Sequence, residues 1–158
     1  SATPRSVHAM VDAAVMKKNN RVVCISWKGK NAELIYSDGS QIQIEENPFA
    51  WFSKQILVNG STLQGRIDAF RRLIQASQKP CILISERSQD LYFPTKGLSN
   101  SHCQWYLYQE VISVDKINES HTDIHTRSGQ ILTADVNIRT VQLQMKRCAE
   151  FLNAINPV

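Results

Sequence analysis

The chain has 158 residues, enough for one domain with a buried core, and its composition is typical of a folded soluble protein. Eighteen Lys and Arg against fourteen Asp and Glu give a net charge of +4. A surplus of this size is compatible with a polyanionic partner but does not require one. No segment approaches the roughly 20 consecutive apolar residues that span a bilayer. We therefore expect no membrane partner and a cytoplasmic location.

The N-terminal residues 1–20 are predicted to form an arm or a short helix. The apolar run 7–16 resembles a signal peptide, but His8 and Asp12 interrupt it. Lys17 and a second lysine then follow at the place where a cleavage site would lie. A docking arm or short helix is therefore the better interpretation.

Three short strands open the folded body. They are predicted over residues 21–27, 33–37 and 40–44, because these segments are rich in β-branched residues. Asp38-Gly39 predicts a two-residue hairpin turn, in which both central residues need positive φ. Asn47-Pro48 is interpreted as the end of this meander.

An aromatic cluster follows the meander and contains Phe49, Trp51 and Phe52. Core packing is the favoured interpretation, since large aromatic rings dominate protein cores. A base-stacking platform for a nucleic acid is the alternative.

A helix is predicted over residues 62–78. Ser61 and Gln64 match a capping box at its start. Pro80 disfavours a helical residue before it, so the helix must end by Lys79. The apolar residues that recur at helical spacing and predict its buried face are Leu63, Ile67, Phe70 and Ile74.

The second half of the chain again predicts strands, then a helix. The strands are expected at residues 81–85, 91–93, 105–114, 122–126 and 130–133. The segment Arg127-Ser128-Gly129 predicts a hairpin loop between the last two. A final helix begins near Asn137, whose side chain can cap it. Its apolar stripe comprises Ile138, Val141, Met145, Cys148, Leu152 and Ile155.

These elements predict an α+β fold, with antiparallel sheet or sheets built from hairpins and two main amphipathic helices packed on them. We expect a single domain over residues 21–158. Strands followed by a helix occupy residues 21–78 and again 81–155, without residue-level similarity that would establish a duplication. Whether there is one sheet or two stays open.

Candidate metal and catalytic residues are few. The four cysteines form no Cys-x-x-Cys pair, so we expect reduced thiols and no structural zinc. His121 and His125 alternate along a predicted strand and are a weak metal candidate. His102 beside Cys103 suggests a thiol nucleophile, but no glycine-rich turn surrounds the pair. We expect no enzyme activity, no metal and no cofactor.

Several short motifs between Asn59 and Leu152 occur together in a fixed order. They are Gly60-Ser61, Gly65-Arg66, Lys79-Pro80, Tyr92-Phe93-Pro94-Thr95, Ser99, Cys103-Gln104-Trp105, Ser128-Gly129-Gln130, and Gln144 with Arg147. This order resembles the core signature of the ComK family, the competence transcription factors of Gram-positive bacteria. The loop Lys96-Gly97-Leu98-Ser99 departs from it, being longer and glycine-bearing where the family's loop is often tighter.

The resemblance implies an activator of genes for DNA uptake that binds double-stranded DNA. It implies a homodimer or higher homo-oligomer on A/T-rich boxes read from the minor groove, a groove that A·T tracts narrow. It also implies a proteolytic adaptor as a partner, a role linked in longer members to a tail beyond the last helix. The alternative is a protein-interaction or regulatory module that does not contact DNA and whose basic surface is incidental.

Seven residues are the predicted DNA contacts. Lys96, Asn100 and His102 lie in a polar loop held at both ends by apolar strands, a common position for functional residues. The cations that would line a polyanion face are Arg66, Arg71, Arg72 and Lys79. Arg66 lies at the shoulder of its helix, where a structural hydrogen bond is an alternative.

Two further interpretations concern the core and the oligomer. Cys103 and Trp105 alternate on a strand and are expected to face the core together. The last helix, near Leu143, Phe151 and Ile155, or the sheet edge beside it, is the expected seat for a second copy. The alternative is that the apolar stripe of this helix packs entirely within the core of its own chain.

Overall fold

A computed structural model describes residues 20–76 and 78–156, and within them two antiparallel sheets are covered by three helices. The first sheet comprises β1 (Val22–Lys28), β2 (Asn31–Tyr36), β3 (Gln41–Ile44), β4 (Ile82–Leu83), β5 (Leu91–Pro94) and β6 (Gln104–Leu107). Its strand order is β3-β2-β1-β6-β5-β4. The predicted N-terminal arm lies outside the described residues, apart from Asn20.

The second sheet and the helices complete the fold. The sheet is formed by β7 (Val111–Asn118), β8 (His121–Thr126) and β9 (Ile131–Ala134), in that order. The helices are α1 (Pro48–Leu57), α2 (Leu63–Ile74) and α3 (Ile138–Ile155). The α+β prediction is confirmed, and the open question about the sheet is answered because the described residues form two.

Helix α1 is the element that the sequence interpretation missed. Asn47 caps it, its side chain accepting from the Ala50 amide at 2.9 Å, and Pro48 occupies the first turn. Proline is favoured there because that amide has no intrahelical partner. The same dipeptide that ends the meander therefore also starts a helix.

The aromatic cluster lies on α1 and packs in the core, as interpreted. Phe52 is fully buried, with its ring centroid 5.5 Å from Tyr92 and 5.6 Å from Trp105 in edge-to-face contacts. Phe49 and Trp51 are partly buried against the same cluster. These contacts leave the base-stacking alternative without support.

The Asp38-Gly39 turn differs from the prediction. Gly39 has φ +89°, but Asp38 is not among the residues with positive φ. The Gly39 amide donates to the Tyr36 carbonyl at 2.9 Å, which closes a turn over Ser37 and Asp38. The loop is therefore a type I turn followed by a glycine bulge, in which one residue alone needs the left-handed region.

The second sheet and α3 repeat the first meander and α1. The offset is 90 residues, so that β8 and β9 begin 90 residues after β2 and β3. Gly129, with φ +91°, takes the place of Gly39 in the same turn. Asn137 caps α3 as Asn47 caps α1, each accepting from the amide three residues on. The predicted boundaries of the two halves were wrong, since the repeated units span residues 21–57 and 111–155.

Helix α2 begins and ends differently from its prediction. Thr62 is the cap, and its hydroxyl accepts from the Gly65 amide at 3.0 Å. The predicted capping box is wrong, because Gln64 bonds instead to Asp68 at 2.9 Å. The helix stops at Ile74, four residues before the predicted end, with Gln75 in the left-handed region at φ 57°.

Two buried clusters lie on opposite faces of the first sheet. Cys103 and Trp105 belong to the α1 side, and Tyr106 and Tyr108 pack on the other, as their alternation predicted. Phe151 of α3 is 2% exposed and packs in this second cluster. Its predicted place in a surface for a second copy was therefore wrong, because its ring lies inside the domain.

Candidate nucleic-acid interface

The candidate site is organised by Gln144, a polar residue buried on α3 with 1% of its surface exposed. Its side-chain nitrogen donates to the Lys79 carbonyl at 3.0 Å and to the Pro94 carbonyl at 2.8 Å. Its oxygen accepts from Arg147 Nη1 at 3.2 Å. One amide therefore holds three segments together, since buried polar groups need partners.

Lys79 lies in the first of these segments, the link between α2 and β4. It is half-buried and has φ 53°, which is rare for a residue with a β-carbon. Pro80, buried directly after it, disfavours right-handed helical backbone at Lys79. The hydrogen bond from Gln144 holds the Lys79 carbonyl, so the direction of the chain here is defined by α3.

The second segment is the predicted loop after Pro94. Its amides form two successive turns, with Asn100 donating to the Gly97 carbonyl and Cys103 to the Asn100 carbonyl, both at 3.0 Å. The Asn100 side chain also accepts from the His102 amide at 2.8 Å. Asn100 and His102 are exposed, so the loop presents them on a hydrogen-bonded frame.

Lys96 in this loop is half-buried and forms a long ion pair with Asp135, at 3.8 Å. Asp135 lies just before α3 and is also 3.2 Å from His121 Nε2. A partly exposed ion pair of this length contributes little to stability. Lys96 is therefore held beside α3 but can exchange Asp135 for another anion at small cost.

Arg71 and Arg72 lie in the last turn of α2. Phe70 packs on Phe151 at 5.3 Å, and the start of α2 reaches the Ile155 end of α3, so the two helices are antiparallel. The C-terminal turn of α2 therefore lies toward the middle of α3. Arg72 is exposed, and Arg71 is half-buried with a partner of its own.

Arg66 lies apart from the other predicted contacts. Its side chain is 11% exposed and faces a cavity at the far end of the α2–α3 pair. Nη1 is 3.5 Å from Glu86 Oε1, while Nε and Nη2 are buried without a hydrogen-bond partner among residues 20–76 and 78–156. The described residues show no hydrogen bond from the Arg66 side chain to a carbonyl at the end of a strand, which was the alternative interpretation.

Gln144 and Arg147 were not among the predicted site residues. Their signal in the sequence was a spacing of three on the last helix and a place among the family motifs.

Several other cations are already paired with carboxylates. Arg21 bonds to Asp90 and Glu110, Lys54 to Glu46, and Lys116 to Glu119.

The cysteine thiols and the histidines were the candidate nucleophilic and metal-binding groups. Burial raises the pKa of Cys103 to about 11, so its thiol stays protonated at neutral pH and is a poor nucleophile. His125 pairs with Asp115 at 2.8 Å, whereas His121 pairs with Asp135. Residues 20–76 and 78–156 contain no group of three or more His, Cys, Asp or Glu placed to hold a metal ion.

No helix within the described part of the chain has the length and apolar character needed to cross a membrane.

Comparison with known proteins gives one result. The family model described as ComK protein matches residues 12–157. Neither the curated proteins nor the solved structures gave a match. The matched range contains all the motifs between Asn59 and Leu152, which confirms the family that they predicted. Because the match covers nearly the whole chain, the protein belongs to the ComK family of competence transcription factors.

Proposed function

We propose that the protein binds A/T-rich double-stranded DNA from the minor groove and activates genes for DNA uptake, in the cytoplasm. The observation that carries the proposal is the pair of hydrogen bonds from Gln144 to the Lys79 and Pro94 carbonyls. They fix the backbone at Lys79 and at Pro94, where the loop 95–103 begins, and Arg147 donates to the oxygen of the same Gln144 amide. The proposed interface comprises Lys79, the loop 95–103 and Arg147. We call this surface the clamp surface.

The chemistry of the clamp surface suits a polyanion. Lysine and arginine neutralise phosphates, and a narrow A·T minor groove concentrates the negative potential that attracts them. Asn100 and His102 add polar groups on the exposed turns of the same loop. Arg71 and Arg72 lie on the neighbouring helix and would extend the contact along the phosphate backbone.

Arg66 is left out of the proposed interface. Its side chain is largely buried, and it lies at the other end of the α2–α3 pair. A phosphate could reach it only after the side chain moved from beneath its neighbours.

The experiment is a salt titration of binding to an A/T-rich duplex, with a G/C-rich duplex of equal length beside it. Arg147→Ala should weaken binding and lower the slope of log K against log salt by about one, since one phosphate contact is lost. Arg87→Ala is the matched control, because Arg87 is exposed in the loop near Glu86, away from the clamp surface.

Two results would contradict the proposal. One is equal affinity for the A/T-rich and G/C-rich duplexes, which would remove the sequence preference. The other is a salt slope that Arg147→Ala and Arg87→Ala change to the same extent, which would make the charge effect nonspecific.

A second copy of the chain is the proposed protein partner, and the specific observation lies on β7. In the repeat, β7 is the equivalent of β1, and β1 pairs along its second edge with β6. In the described residues β7 has no strand on that edge. Ile112 and Ile117 on this strand are 57% and 48% exposed. The same apolar side chains would also suit the alternative, an interaction module without DNA contact.

Each of these isoleucines is the extra residue where the register of β7 against β8 shifts. Bulges disturb the regular ladder and commonly protect an edge from strand pairing. We therefore propose that the second copy packs on the Ile112 and Ile117 side chains, instead of extending the sheet. Two linked copies on repeated boxes would gain affinity through effective concentration.

A further inference from the structure

A cavity of about 250 Å³ lies between α2, the end of β4 and the C-terminal end of α3. Its walls include Arg66, Ala69, Leu83, Glu86, Phe151 and Ile155. Four of these side chains are apolar, and Gln89 and Asn156 also line the cavity, so that half of its lining residues are polar. The guanidinium of Arg66 is the cation among them. Small-molecule sites commonly combine apolar walls with a small number of polar groups that fix the ligand's orientation.

The buried positive charge of Arg66 is poorly compensated by hydrogen bonds. A guanidinium carries five N–H donors, yet Nε and Nη2 are buried and have no hydrogen-bond partner in the part of the chain that the structure describes. Burying a charge is costly unless it is paired and hydrogen-bonded. An anion that reached this fork would therefore gain hydrogen bonds that the protein itself does not make.

Glu86 would compete only weakly with a bound anion for the Arg66 guanidinium. Its Oε1 lies 3.5 Å from Nη1, and its side chain is 82% exposed. A long ion pair with a solvent-exposed partner contributes little to stability, because water screens the attraction and the side chain loses conformational freedom. A carboxylate entering the cavity could displace Glu86 at small cost.

We propose that this cavity binds a small molecule with one carboxylate on a short apolar chain. The carboxylate would turn the guanidinium fork toward the cavity and pair with it through two parallel hydrogen bonds, the geometry that arginine favours. The apolar chain would lie against Leu83, Phe151 and Ile155. The volume is below the roughly 300–1,000 Å³ of sites for drug-sized ligands, so the ligand is small.

The site is separate from the clamp surface. It lies at the Ile155 end of α3, whereas Gln144 organises the clamp surface three turns earlier on the same helix. The cavity can therefore be tested without DNA, and its failure would leave the proposed function untouched.

The experiment is isothermal titration of the full chain with sodium hexanoate, hexan-1-ol and inorganic phosphate. Hexanoate should bind saturably at one site per chain, and hexan-1-ol at least about tenfold more weakly, because it lacks the charge. Arg66→Gln should weaken hexanoate about ten- to hundredfold. Arg87→Gln removes the same charge from an exposed neighbour and should leave the affinity unchanged.

Glu86→Gln supplies a second measurement that does not depend on whether Arg66→Gln folds. Removing the competing carboxylate should strengthen hexanoate binding by up to about fivefold. The proposal is overturned if hexanoate and hexan-1-ol bind equally, if phosphate binds more tightly than hexanoate, or if Glu86→Gln leaves the affinity unchanged or lowers it. Wild-type affinity in a folded Arg66→Gln variant would overturn it as well.

Discussion

The side-chain nitrogen of Gln144 donates a hydrogen bond of 2.8 Å to the main-chain carbonyl of Pro94, although 50 residues separate them in the chain. The same nitrogen reaches the Lys79 carbonyl at 3.0 Å, so one buried amide joins the last helix to the link between α2 and β4 and to the end of β5. The position of the basic residues on these segments therefore depends on α3.

Gln144→Leu is expected to destabilise the protein and weaken DNA binding together. Leucine keeps a similar volume but leaves two carbonyls without this partner, that of Pro94 buried and that of Lys79 partly buried. An unpaired buried group costs about 1–3 kcal/mol, and a partly buried one costs less. Urea unfolding should show a free energy of unfolding lower by roughly 2–4 kcal/mol. Gln142→Leu, on the exposed face of the same helix, is the control. Equal stability of the two variants would show that the hydrogen bonds matter little.

Lys79→Gly is expected to separate folding from binding. The backbone at φ 53° is strained for lysine but not for glycine, so the variant should be as stable as the wild type or up to about 1 kcal/mol more stable. Loss of the cation should nevertheless lower the salt slope of DNA binding by about one. A wild-type slope in this variant would exclude Lys79 from the interface.

Asp135→Asn is expected to strengthen DNA binding. The substitution releases Lys96 from its 3.8 Å ion pair and removes a negative charge beside the proposed contact. The affinity should rise, and the salt slope should grow by up to about one if Lys96 then reaches a phosphate. Asp115→Asn removes the same charge from the second sheet and serves as the control. Unchanged affinity in Asp135→Asn would place Lys96 outside the interface.

The β7 contact predicts how the oligomer responds to mutation. Sedimentation at micromolar concentration should give dimers or larger species for the wild type. Ile112→Lys combined with Ile117→Lys should give folded monomers, because charge replaces exposed apolar surface. Ile131→Lys changes an isoleucine that is 59% exposed on β9, the opposite edge strand, and should leave association intact. A monomeric wild type, free and on a two-box duplex, would refute the contact.

The buried thiols predict a loss of stability at alkaline pH. Burial raises the pKa of Cys24 from 9.0 to about 12, so above pH 9 the unfolded chain loses this proton while the folded protein keeps it. Stability therefore falls as pH rises from 9 toward 12, by up to about 1.4 kcal/mol per pH unit for this thiol. Urea midpoints at pH 8, 9 and 10 would measure it, and Cys24→Ala should show a smaller decline. Identical slopes for both proteins would contradict the assignment.

Local patterns in the sequence were sufficient for much of the fold. The spacing of Leu63, Ile67, Phe70 and Ile74 predicted α2, because helical periodicity involves neighbours three and four residues apart. Gly129 predicted its hairpin loop, since the bulge in that turn needs φ +91°. Alternation placed Trp105 and Tyr106 on opposite faces. The order of the short motifs was sufficient to predict the family to which the chain belongs.

Ambiguous local signals account for the errors. Asn47-Pro48 is typical of both the end of a strand and the start of a helix, so the sequence alone did not distinguish them. Ser61 and Thr62 are both acceptable caps, and the structure uses the second. The repeat was hidden because its two units retain few identical residues while keeping the same backbone spacing of 90.

The site itself depended on tertiary structure. Nothing near Gln144 in the sequence indicates that its amide reaches carbonyls 65 and 50 residues away. Likewise, the helical pattern placed Arg66 and Phe151 at exposed or shoulder positions, and only the packing of α2 against α3 buries them. Periodicity and turn chemistry act over a few residues, so the sequence by itself determined the elements and the family. Which polar and charged groups meet, and which are buried, was decided by packing between distant segments.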